Sequence, residues 1–317
     1  MVVYNSKHWT SHLFDVRNSM LHAIFGRVVA CVGWSILVLM AHRFWMSRLV
    51  MVHTSIPPTV HSLVGVALGL LLVFRTNTAY DRFWEGRKLW GGIVNESRNL
   101  ARSASVHFKD DPALLRATVR WTAAWSQAAM HGLRGGAGFG PVAARLPARE
   151  VEASLGSGQV ALDVSRRITA LLVEARDKGL ISDIILVGLD RNVQQLIDSL
   201  GGCERIKNTP LPFAYMVHIR RALILYCFTL PFALIDSYGW GSIVGTFLVA
   251  YIFFGIEEIG VEIENPFDGD ENDIPLERIC ATIERNLFAL IGDDAPAAAG
   301  EPDTAEAVRV PVVGLGH

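Results

Sequence analysis

Two apolar stretches near the start of the chain, Ala23–Ala41 (AIFGRVVACVGWSILVLMA) and Ile56–Phe74 (IPPTVHSLVGVALGLLLVF), constrain its fold more than any other feature. Each is 19 residues long, and the first carries one charge, Arg27. A helix rises 1.5 Å per residue, so about 20 apolar residues cross the hydrocarbon core of a bilayer. Pro57 and Pro58 fit the first turn of the second stretch, where a missing N–H costs nothing. Two further apolar runs, Ala222–Ile235 and Gly241–Ile256, are shorter, and Asp236–Trp240 joins them as a helical hairpin. Runs of that length also occur as buried core helices, so a soluble all-helical core is the competing reading.

Composition and charge placement favour the membrane. Of the 317 residues, 51% are hydrophobic and only 19% charged, and the mean hydropathy is +0.31. Soluble domains carry about 25% charged residues. Lys7, Arg17 and Arg27 precede or enter the first stretch, Arg75, Arg82, Arg87, Lys88, Arg98 and Arg102 follow the second, and Arg220 and Arg221 precede the third. Under the positive-inside rule these flanks are cytoplasmic. Both termini are then expected on the cytoplasmic side of an inner (plasma) membrane, with Arg43 and Arg48 in a short outer loop. Met1–Asn18 is polar and mixed, unlike a cleaved leader, so the first span reads as an uncleaved anchor. The net charge of -2 provides no field to attract nucleic acid. Cys31, Cys203, Cys227 and Cys280 lie far apart and suggest neither a disulfide framework nor a zinc site.

Between Arg75 and Pro210 the sequence reads as helical and cytoplasmic. No proline interrupts Arg75–Phe108, so the second span is expected to continue out of the membrane, with Gly91-Gly92 as its likeliest bend. Further helices are expected over Pro112–His131, over Val160–Lys178, and from the Ser182/Asp183 cap to Gly201-Gly202, with a loop over Gly132–Pro147. Residues 257–290 complete the cytoplasmic part, and 291–317 reads as a disordered tail.

Sequence motifs for catalysis are lacking. GLRGGAGFG (Gly132–Gly140) has no following GK[ST], and there is no H-E-x-x-H pair or G-x-S-x-G elbow. Glu257, Glu258, Glu262 and Glu264 have no histidines nearby and read as a solvated helix end partly paired with arginines. The acidic run Asn265–Asp273 (NPFDGDEND) packs oxygen ligands and a glycine into a turn, which suits either a hard cation such as calcium or a capped polar turn.

Three segments together resemble the bestrophin family: FRTNTAYDRFWEGRKLWG (Phe74–Gly91), GGCERIKNTPLPFAY (Gly201–Tyr215), and NPFDGDENDIPL (Asn265–Leu276) followed by IERNL (Ile283–Leu287). The resemblance covers roughly residues 10 to 290. It implies an all-α integral membrane protein with four transmembrane helices per subunit, continuous with a helical cytoplasmic domain, in a barrel-shaped homopentamer with one axial pore. At positions matching the family's hydrophobic neck stand Val66, Leu70 and Phe74, the first two smaller than the Ile or Phe often found there. Ile184 matches a second, cytoplasmic aperture. Asn265, Asp270 and Asp273 match side-chain ligands of a calcium clasp, to which the N-terminal segment contributes a backbone oxygen. Asp268 and Gly269 depart from the family's usual Gly and Glu. From one chain, the Val66–Leu70–Phe74 stripe could equally face lipid or another helix, and Ile184 could be a routine core residue.

The resemblance implies a passive ion channel rather than an enzyme. No cofactor is required, Ca2+ is an optional ligand, and the partners are further copies of the chain, lipid and small permeant ions. Chloride or another anion is the first expectation. A monovalent-cation channel of the same fold and a non-conducting membrane scaffold are the alternatives.

Overall fold

The computed structural model describes residues 20–46, 57–270 and 272–293, and all regular structure among them is helical. In chain order the helices are α1 (Leu21–Met46), α2 (Pro58–His107), α3 (Pro112–Leu133), a 3₁₀ turn (Gly140–Arg145), α4 (Ala148–Leu155), α5 (Val160–Asp177), α6 (Asp183–Asn208), α7 (Phe213–Tyr238), α8 (Gly241–Glu262) and α9 (Leu276–Ala289). Four of them, α1, α2, α7 and α8, are long and apolar enough to cross a membrane. The two short apolar runs are thus the centres of helices of 26 and 22 residues, lengthened by residues the apolar pattern does not mark. Residues 294–317 of the expected tail and the N-terminal segment fall outside the described residues, as does Arg48, whereas Asp293 pairs with Arg120 at 2.6 Å.

The chain divides into two compact units. Of the described residues, the first holds those up to 93, 132–136 and those within 195–276. Its apolar core joins α1 (Ile24, Val28), α2 (Leu68, Leu72), α7 (Ile219, Leu223, Leu230) and α8 (Ala250, Phe254). Only 22 to 44% of the most apolar part of each spanning helix is buried, so a broad apolar surface of the protomer remains for lipid or for other copies. Serine and threonine in these helices donate to carbonyls one turn back, as Ser62 does to Pro58 and Thr229 to Leu225. Such bonds satisfy a hydroxyl where water is absent.

Of the described residues, the second unit holds 94–131, 137–194 and 277–293. Its centre is α3, in which ten consecutive residues, Trp121–Met130, are all buried. A helix buried on every side must satisfy its polar groups internally. Thr122 donates to Thr118, Ser126 to Ala123, and Trp125 Nε1 to Ser165 Oγ at 2.7 Å.

α2 is one helix of 50 residues that continues through Gly91-Gly92 without interruption. α5 ends as expected at Gly179, where Gly179 N–H bonds to Arg176 O and Leu180 N–H to Ala175 O, a Schellman pair. α6 does not stop at Gly201-Gly202 but runs on to Asn208. The reason is packing: a Cβ at Gly202 would lie 2.8 Å from Leu89 of α2, and one at Gly92 would lie 3.3 Å from Ser199 of α6. These glycines let two helices approach rather than end one. The expected loop Gly132–Pro147 contains the 3₁₀ turn, and the sequence pattern missed α4 altogether.

Candidate functional site: an apolar face backed by a buried charge cluster

Burial along α2 follows helical spacing. His61, Leu68, Leu72, Arg75, Ala79, Gly86, Trp90 and Ile93 form the covered stripe. On the other side Val66, Leu70 and Phe74 are 73, 55 and 56% exposed, so none of the three belongs to the protomer's core. In the second unit Ile184, in the first turn of α6, is 85% exposed and Val187 70%, opposite the buried Leu189, Val193 and Leu196. Ile184 is therefore not a core residue of the protomer either.

Arg75 follows Phe74, and one residue turns a helix by about 100°. That turn takes its guanidinium into the interior, where it is fully buried. Arg75 Nη1 donates to Glu257 Oε1 at 2.6 Å. Arg220 Nε donates to the same oxygen at 2.9 Å, and Arg27 Nη1 reaches Oε2 at 3.2 Å and Glu258 Oε2 at 2.8 Å. Three arginines from α1, α2 and α7 thus converge on the end of α8. Arg75 Nη2 also lies 3.9 Å from Glu264 Oε2, although Nη2 and Nε have no hydrogen-bond acceptor among the described residues. Glu257 is 3% exposed, which corrects the reading of these acids as a solvated helix end. A charge buried among membrane helices is costly unless paired, and here the pairing fixes the rotation of α2 at the level of Phe74.

Two turns further along, Arg82 binds three carbonyls: Glu264 O at 3.0 Å, Thr209 O at 2.5 Å and Ile206 O at 2.6 Å. Two of these lie at the end of α6, whose last carbonyls lack helical donors. Leu211 N–H in turn donates to Glu264 Oε1 at 3.1 Å. The sequence reading expected Glu257 and its neighbouring acids to be partly paired with arginines, as they are, but did not foresee which arginines or that the pairing is buried. Arg27, a lone charge inside an apolar stretch, and Glu257, an acid closing another, were the available signals.

The acidic turn is anchored by the fully buried Phe267, which packs against Gly86 of α2. Asp273 Oδ2 accepts from Gly269 N–H at 2.8 Å and Asp270 N–H at 2.9 Å, closing the loop. Asn265 Nδ2 donates to Asp268 Oδ2 at 2.5 Å. Two buried oxygens, Asn265 Oδ1 and Asp273 Oδ1, have no hydrogen-bond partner among the described residues. Burial raises the Asp273 carboxyl above its ordinary range; the two N–H donors pull it down, and the negative charges of Asp270 and Asp268 push it up again. Asn265 and Asp273 therefore each keep a buried oxygen as a candidate ligand, whereas Asp270 is exposed. The expected N-terminal backbone ligand lies outside the described residues, as does Glu271. Among the described residues no three His, Cys, Asp or Glu side chains gather as a metal cluster. In the second unit, Gln127 Nε2 donates to the buried Glu284, whose carboxyl is raised by burial against the pull of Gln127 and Arg145.

Comparison with known proteins gives a consistent result. A family described as "Bacterial/Fungal Bestrophin protein" matches residues 1–289. A voltage-dependent anion channel-forming protein of Nostoc sp. is 39% identical, the match covering 89% of this chain and 91% of that protein. A protein of the same description from Synechocystis sp. is 38% identical over 89% of this chain and 92% of that one. The crystal structure of a bacterial bestrophin homolog from Klebsiella pneumoniae superposes with a TM-score of 0.79 at 30% identity, covering 85% of this chain and 99% of that one.

Proposed function

The chain belongs to the bacterial and fungal bestrophin family and is a multi-pass membrane protein, and from that premise we propose that it forms a homopentameric channel that conducts small anions passively. The observation that carries this reading is the exposed apolar face Val66–Leu70–Phe74, set by the buried ion cluster immediately behind it. Around a fivefold axis each of the three becomes a ring of apolar side chains. Such rings offer no oxygen or N–H to replace an ion's hydration shell, so they oppose permeation when narrow and gate by dewetting. Ile184 forms a further apolar ring in the cytoplasmic domain. The basic helix ends favour both termini in the cytoplasm and a channel in the inner membrane. The names of the Nostoc and Synechocystis relatives favour chloride or a similar anion.

An apolar neck does not fix the sign of charge, so selection falls to charged positions. Arg191 lies two turns beyond Ile184 on the same exposed face of α6, and no hydrogen bond or ion pair engages it among the described residues. Five copies would line the passage with positive charge, as suits an anion. The orphaned buried oxygens of Asn265 and Asp273 fit a hard oxygen-seeking cation, with Asp270 as the third side chain, so these residues would hold Ca2+. Bound calcium would neutralise the crowded carboxylates and stiffen the turn that Phe267 docks on α2.

Native mass spectrometry of the solubilised protein should give five chains, and a stable monomer or dimer contradicts the pore. Replacing Val66, Leu70 and Phe74 together by Ala should raise single-channel current while the pentamer persists. An assembled mutant with unchanged conductance removes these residues from the neck.

A further inference from the structure

A cavity of about 460 Å3 opens between α1, α7 and α8, apart from the neck face. Its walls are largely apolar, with Ala30, Trp34, Ile224 and Phe228 along its length. Trp34 stacks on Phe228 with ring centroids 4.4 Å apart and donates Nε1–H to the Phe228 carbonyl at 2.9 Å, which stiffens that wall. Arg27, Arg220 and Glu257 form its charged part.

What this charged part presents outward is positive. The side chains of Arg27 and Arg220 are 44 and 48% exposed, whereas Glu257 and Glu258 are 3 and 12% exposed. Arg220 spends only Nε on Glu257, and Arg27 only Nη1 on Glu257 and Glu258. Among the described residues, Arg220 Nη1 and Nη2 and Arg27 Nε and Nη2 make no hydrogen bond. Guanidinium groups held in place by buried acids, with donors to spare, match the tetrahedral oxygens of a phosphodiester. The apolar walls beside them match a hydrocarbon chain. Both arginines belong to the basic flanks that the positive-inside rule places at the cytoplasmic leaflet, where anionic lipids concentrate.

We propose that this furrow is a binding site for an anionic phospholipid, its phosphodiester on Arg27 and Arg220 and one acyl chain along Ala30, Trp34, Ile224 and Phe228. The lipid would bridge α1 and α7 beside the ion cluster that sets the rotation of α2, so leaflet composition would bear on the channel through Glu257. The site requires membrane insertion but not ion conduction, and it stands or falls apart from the pore.

The test uses the full chain in a neutral detergent, titrated with phosphatidylglycerol, with phosphatidylcholine of the same acyl chains, or with inorganic phosphate, and followed by native mass spectrometry and thermal unfolding. Phosphatidylglycerol should bind more tightly than phosphatidylcholine by about fivefold or more, and phosphate alone should not protect. Arg220→Gln should weaken phosphatidylglycerol about fivefold. Ala30→Trp leaves every ion pair in place and fills the furrow, so it should abolish the preference. Arg221→Gln, which removes the same charge from an exposed residue outside the furrow, should preserve it. Equal binding of the two lipids overturns the site, as does protection by phosphate alone or an equal loss with Arg221→Gln. Undiminished phosphatidylglycerol binding in Ala30→Trp also overturns it. A change of oligomeric state in that variant without a change in lipid binding would instead assign the furrow to a second copy of the chain.

Discussion

Glu257→Gln separates the ion cluster's charge from its shape. The amide keeps an oxygen for Arg75 Nη1 but removes the negative charge on which Arg75, Arg220 and Arg27 converge. Arg27 and Arg220 are half-exposed and can find other partners. Arg75 cannot: it is fully buried, two of its nitrogens already lack acceptors, and its remaining carboxylate is Glu264 at 3.9 Å. Removing one partner of a buried pair costs about 3–5 kcal/mol. For a chain of 317 residues that lowers the unfolding temperature by roughly 4–8 °C. Arg75→Met should cost less, about 1.5–3 kcal/mol, because Glu257 keeps two arginines. The double variant leaves no unpaired buried charge at Arg75, so it should be no less stable than Glu257→Gln alone. The coupling between the two sites is then at least the cost of Arg75→Met, about 1.5–3 kcal/mol. Thermal unfolding of the four proteins in one detergent measures the cycle. Single effects below about 1 kcal/mol, or effects that add without coupling, would refute the claim that this cluster sets the rotation of α2.

Calcium at about 100 times its Kd should stabilise the wild type by about 2.7 kcal/mol, and Asp270→Ala with Asp273→Ala should abolish the gain; equal responses reduce the site to a polar turn. Burial alone would raise Asp163, yet hydrogen bonds from Ser154, Arg166 and Arg167 and the charge of Arg167 bring its carboxyl from 3.8 down to about 2. A depressed carboxyl stabilises the fold above its unfolded pKa, and that contribution is lost as pH falls from 3.8 through about 2. Acid unfolding monitored in that window should be shallower in Asp163→Asn, and an unchanged slope contradicts the assignment. Gly86→Leu should displace the acidic turn, since even its Cβ would lie 2.9 Å from the Phe267 ring, and a loss of about 1–3 kcal/mol together with weakened calcium protection is expected.

The elements readable in the sequence were those whose signal is local. The 19-residue apolar stretches and the proline-free run after Phe74 led to α1 and to the continuous α2, and Gly179 marked the end of α5. Gly201-Gly202 misled because a glycine pair that admits Leu89 looks, in sequence, the same as one that ends a helix. α4 is only eight residues long and follows Pro147, too short for its period to stand out. The ion cluster was illegible for a different reason: Arg75 and Glu257 are 182 residues apart, and only the packing of four helices brings them together. The Val66–Leu70–Phe74 stripe was visible as a spacing, and the structure adds that its residues are exposed on the single chain. What that exposed face meets is a property of the assembly, which periodicity within one chain does not encode.

The central claim is a conducting, anion-selective pore, and the most direct measurement is the reversal potential of the purified full chain in a planar bilayer under a tenfold KCl gradient. An anion-selective channel should reverse near the chloride equilibrium potential, displaced from zero by about 59 mV for an ideally selective pore. Arg191→Glu should move that value toward zero without loss of the pentamer. Reversal at the potassium potential would contradict anion selection, and an assembled, stable pentamer that passes no current would contradict the channel itself.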